Sequence, residues 1–184
     1  KVDEEQISTT INRVRYRDLD GGIRQMLVAV PQLAAGEQAQ AIVVVEVTRR
    51  AIELPANTQD YRIPKRVARD LRKYLAESPL IDSRDRKIRE TAKDITADKD
   101  VAWDKVDAIH TWVKDNIKHT NEKFKGTDKA FSDKSGHMED LVGLFIALCR
   151  AEKIPARTVW VPDYCYAEFY LEDAEGNGFW FPCE

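Results

Sequence analysis

Three cysteines (Cys149, Cys165, Cys183) and three histidines (His110, His119, His137) are the side chains most suited to nucleophilic or metal chemistry. The cysteines are an odd number with no CxxC spacing and the histidines form no HxxxH pair, so no metal and no other cofactor is expected. The run Ser135-Gly136-His137-Met138-Glu139-Asp140 is of another kind, because it leads into an apolar stretch. A helix start leaves N–H groups without intrahelical partners and carries the positive end of the dipole. Such an end lowers a thiol pKa and holds an oxyanion. A histidine on a following strand would take the proton, and a carboxylate one strand further would orient it. That chemistry needs a buried helix followed by strands.

Both are legible. From Glu139 to Arg150, residues such as Leu141, Leu144, Phe145, Ile146 and Leu148 leave almost no polar face, as in a central helix covered on all sides. After Ile154-Pro155, the segments 156–161, 164–171 and 179–183 are rich in aromatic and β-branched residues and are separated by turn signals at 162–163 and 173–178. Ahead of them, Val67, Leu71, Tyr74 and Leu75 predict an amphipathic helix over 64–77 with a basic, solvated face (Lys65, Arg66, Arg69, Arg72, Lys73). A second helix is expected over 83–97, around Ile88, Ala92 and Ile95. A third is expected over about 101–119, where Val106, Ile109 and Val113 form a stripe broadened by Trp103 and Trp112. The first third reads as extended: the β-branched run 42–47 and the Asp20-Gly21-Gly22 turn predict a three-stranded antiparallel piece over 7–53. Leu54-Pro55-Ala56-Asn57 ends it. The fold class is therefore α+β, with a β-rich segment over 1–54 and the helix-and-sheet domain over 55–184.

At 184 residues, 43% hydrophobic and 33% charged, the chain has the composition of a globular protein with one domain and at most a small appendage. A net charge of -3 from 29 basic and 32 acidic residues, scattered throughout, gives no reason to expect nucleic acid as partner. No apolar run approaches the roughly 18 residues of a membrane span. The bare Lys1 start is compatible with a removed signal peptide and export to the periplasm or beyond; without one the chain would be cytoplasmic, so compartment stays open.

Residues 55–184 resemble the transglutaminase-like family, whose fold is related to papain-like cysteine peptidases. The resemblance rests on an ordered series: Trp103-Asp104-Lys105-Val106, Gly136-His137-Met138-Glu139-Asp140, Leu144-Phe145-Ile146-Ala147-Leu148-Cys149-Arg150-Ala151, Ile154-Pro155-Ala156-Arg157, Tyr164-Cys165-Tyr166-Ala167-Glu168-Phe169-Tyr170 and Trp180-Phe181-Pro182-Cys183-Glu184. Residues 1–54 are similar to the β-rich leader of bacterial members. The resemblance implies a buried central helix packed on an antiparallel sheet that in the family usually continues, so the domain is expected to lack its C-terminal end.

Against the family's Cys-His-Asp triad, all three positions are substituted. The Gly-x-Cys-x-Asp motif puts Met138 at the cysteine, the His-x-aromatic-x-Glu strand puts Tyr164 at the histidine, and the Trp-x-Pro-x-Asp strand puts Glu184 at the aspartate. A thioether has no proton to lose and cannot become a thiolate. A phenol with a reference pKa near 10 is a poor general base at neutral pH. Strand alternation turns Tyr164, Tyr166 and Glu168 toward the helix start and Cys165, Ala167 and Phe169 away. His137, Tyr166 and Trp180 are expected to bind ligand around the cleft, a neutral pocket with one acidic end at Glu184. His137 reads as a loop histidine and Cys149 as a core residue. The expectation is thus a degenerate, non-catalytic domain that binds a peptide or protein ligand. The alternative is a cysteine-type amidase, protease or transglutaminase whose nucleophile is replaced in this chain. A structural adaptor using the basic 65–73 face is a third reading.

Overall fold

The β-branched run forms β4 (Ala41–Val47), antiparallel to β1 (Val2–Thr9), with Thr9 opposite Ala41. A second ladder joins β2 (Val14–Leu19) to β3 (Ile23–Val28), and its closing pair, Leu19 and Ile23, brackets residues 20–22. The expected turn at 20–22 lies outside the residues that this computed structural model describes, which are 2–9, 14–19, 23–30, 32–47 and 55–183. Two two-stranded ladders stand where one three-stranded piece was expected. The extra strand, β1, opens with Asp3-Glu4-Glu5, whose charges mask any period-two alternation. The chain divides into two units, Lys1–Leu54 and Pro55–Glu184.

The second unit runs α1 (Arg86–Thr96), α2 (Ala102–Asn116), β5 (Lys118–His119), α3 (Thr127–Asp133), β6 (Ser135–Gly136) and α4 (Met138–Ala151). The antiparallel sheet β7 (Ala156–Val161), β8 (Tyr164–Glu172) and β9 (Gly178–Cys183) follows, with β8 central. Every residue of α4 from Gly143 to Arg150 is buried, since a helix apolar on all sides needs cover on all sides. Ile88 of α1, Ile109 of α2, and Phe169 and Leu171 of β8 join Leu144 to Cys149 in one core. Trp103 packs into it edge-on to Phe169 and Phe181, at 5.3 and 5.0 Å between ring centres. Arg150, at the far end of α4, donates to Ala156 O, Ala76 O and Ser78 Oγ at 2.7–3.1 Å, so its buried guanidinium is solvated by the chain itself. Burial pulls its pKa down to about 10, which still leaves it charged at neutral pH. Among the described residues no helix is long and apolar enough to cross a membrane.

Three sequence expectations change. Residues 64–77 form no α-helix; the bonds Leu71 N to Ala68 O, Tyr74 N to Leu71 O and Leu75 N to Arg72 O are all three-residue closures around a single 3-10 turn, Arg72–Tyr74. Only Leu71 of the apolar stripe is buried, and a short helix without a buried face is marginal in water. Helix α2 stops at Asn116: Ile117 closes the last bond to Val113 O and then turns extended, so that β5 can pair in parallel with β6. Helix α3 was not expected at all. It is seven residues long and is held by Thr127, whose hydroxyl donates to Asp82 Oδ2 (2.8 Å) and accepts from Asp82 N (2.9 Å).

Candidate functional site

The site is built around the first turn of α4. Asp140, fully buried, accepts from the N–H groups of Lys125 (3.0 Å), Gly126 (2.7 Å) and His137 (2.9 Å), tying the loop before α3 to the helix start. A Cβ at Gly136 would stand 2.7 Å from Asp140 Cβ, so the residue two before Met138 has to be glycine for the carboxylate to swing under the loop. These are the outer members of the Gly-x-Cys-x-Asp pattern, and both do structural work. Between them, His137 caps the helix and turns its Nδ1 to Glu139 Oε2 at 3.2 Å. Met138 occupies the first helical position and is half-buried.

Met138 opens onto a cavity of about 530 Å³, a size typical of small-ligand sites. Tyr164 and Tyr166 of β8 line the same cavity, so the positions expected to match the family's cysteine and histidine share one lining. Leu141, Val142 and Phe145 of α4 form its apolar wall. Glu168, expected on the same face, is engaged elsewhere: it accepts from Arg157 Nε at 2.7 Å across the β7–β8 ladder. Ala167 also reaches the cavity edge, although it belongs to the alternate set that packs into the core with Phe169.

The remaining expected residues part company. Trp180 is absent from the cavity lining; it makes edge contacts with Tyr74 (5.0 Å) and Tyr170 (5.3 Å), with the Arg157 guanidinium 4.1 Å over its ring. His137 stands beside the cavity, its ring 6.3 Å from that of His119, which does line it. Glu184 lies outside the described residues. Cys165 is buried, and burial followed by the charge of Glu139 pushes its thiol up. Cys149 is pushed well up by burial within α4. No disulfide joins the three cysteines. Among the described residues no cluster of three or more His, Cys, Asp or Glu side chains is arranged to hold a metal ion.

The cavity also takes Lys114 and Lys118, which the sequence did not single out, and His110, His119 and Cys183, which it marked by residue type without placing them in the site. The β5–β6 pairing, with His119 opposite Gly136, carries the end of α2 to the start of α4. A two-residue strand leaves no periodicity to read.

No curated protein matches the chain. Among solved structures it is similar to a candidate cysteine protease from Cytophaga hutchinsonii, with a TM-score of 0.58 at 18% identity over 99% of this chain. This chain spans 65% of the length of that protein. A candidate protease from Parabacteroides distasonis gives a TM-score of 0.44 at 12% identity, over 98% of this chain and 38% of the other. The first likeness establishes a shared fold. The profile of the transglutaminase-like superfamily matches residues 89–184, the stretch that holds α2, the start of α4 and the three-stranded sheet. The chain belongs to the transglutaminase-like superfamily.

Proposed function

We propose that this domain does not carry out acyl transfer through position 138 and that it uses the cavity over the start of α4 to bind a peptide segment. The observation that carries the reading is the convergence of Met138 and Tyr164 on one cavity. A thioether and a phenol there supply neither a nucleophile nor a base at neutral pH, while an apolar wall and two phenol groups suit a peptide's side chains and amides. Around them the parts that shape the helix start, Gly136 and Asp140, are intact.

The test has two arms. The purified chain, incubated with casein and an amine donor or with peptide amides, is expected to show no turnover above a control without protein. Turnover that alkylating agents abolish would favour a cysteine-type enzyme and overturn the reading. In the second arm an immobilised peptide library is expected to capture the chain saturably, and Met138→Trp, which fills the cavity, is expected to prevent it. Capture unaffected by Met138→Trp would move binding to another surface.

A further inference from the structure

We infer that the cavity selects peptides carrying a carboxylate beside an apolar side chain. This deepens the peptide-binding reading above and rests on it.

The cavity's lining combines two kinds of surface. One is the α4 wall of Leu141, Val142 and Phe145, which only an apolar side chain rewards. The other comes from the end of α2 and from β5, which contribute Lys114, Lys118 and His119. Among the described residues no Asp or Glu lines the cavity, although Asp and Glu outnumber Lys and Arg in the chain by 32 to 29. Glu139, adjacent to Met138, is turned to His137. Neither Lys114 nor Lys118 belongs to an ion pair among the described residues, in contrast to Lys125, which is held by Asp133 at 2.7 Å. Both are exposed. Two ammonium groups in the lining of a cavity with an apolar wall complement an anion joined to an apolar body. In a peptide, that is a carboxylate next to a leucine- or phenylalanine-like side chain. It is supplied either by a free C-terminus or by an adjacent Asp or Glu.

Three probes resolve the source: acetyl-Leu-Phe with a free carboxylate, acetyl-Leu-Phe amide, and acetyl-Asp-Phe amide, titrated against the whole chain by calorimetry in low salt. One or both carboxylate probes are expected to bind about five- to tenfold more tightly than the neutral amide, the range that two partly exposed ion pairs provide. Whichever is preferred names the source. The preference is expected to vanish in Lys114→Gln/Lys118→Gln, to survive in Lys114→Arg/Lys118→Arg, and to shrink with added salt. Equal affinity for all three probes would overturn this inference while leaving the peptide-binding reading in place. Binding of none of them at millimolar concentration, by a chain whose thermal unfolding is normal, would overturn both.

Discussion

Around the start of α4, two pairs of positions answer to different demands. Gly136 and Asp140 meet demands that no other residue type meets: one leaves room for a carboxylate carbon, and the other satisfies three backbone N–H groups from a buried site. Met138 and Tyr164 open onto a cavity. The difference separates what holds a helix start in place from what reacts there. Positions that carry the architecture are fixed by distances of a few ångströms within the chain. Positions that would carry chemistry are fixed by what binds in the cavity rather than by the chain's own packing.

The contrast can be broken first at its strongest point. Asp140→Ala is expected to destabilise the unit by about 3 kcal/mol in urea unfolding, because three backbone N–H groups, one buried and two part-buried, lose their shared acceptor. A loss under about 1 kcal/mol would mean that the loop at 125–126 readily finds other partners. Gly136→Ala comes next, at about 2 kcal/mol, because the new methyl group meets Asp140 Cβ and Ala130 Cβ in a packed region. Trp180→Ala is expected to lower stability by about 1–2 kcal/mol through loss of its ring contacts, yet to leave peptide affinity unchanged, since it lies outside the cavity. Altered affinity would restore it as a binding residue. The smallest effect belongs to the cavity positions: Met138→Ala and Tyr164→Phe are each expected to change stability by less than about 1 kcal/mol while weakening peptide capture.

What the sequence makes legible follows from how local each determinant is. The apolar run 141–149 can only be covered on all sides, and the period-two runs at 156–171 can only be strands, so α4, β7 and β8 are readable without any partner. Helix α3 is not, because its Thr127 is held by Asp82, 45 residues earlier. The stripe at 67–75 has helical spacing, but Tyr74 instead packs against Trp180, and with only Leu71 buried the segment has too little cover to build a helix. Within the site, Met138, Tyr164 and Tyr166 follow from the motif. Lys114, Lys118 and His119 do not: Lys118 and His119 arrive through the four-residue β5–β6 pairing, and Lys114 comes from the end of α2 before it. Trp180 belongs to the motif by position, but its ring is committed to a cluster with Tyr74, Tyr170 and Arg157.

The central claim is that the framework of a thiol site is intact and that only its reacting side chains are replaced. The most direct measurement is the pH dependence of iodoacetamide alkylation of Met138→Cys/Tyr164→His in a Cys183→Ser background, which removes the other thiol lining the cavity. The account predicts a rate governed by a pKa below about 7.5, because the helix N-terminus and an imidazolium both favour the thiolate. A folded variant whose introduced thiol titrates at or above about 8.5 would contradict it, since the framework would then no longer activate even the right residues.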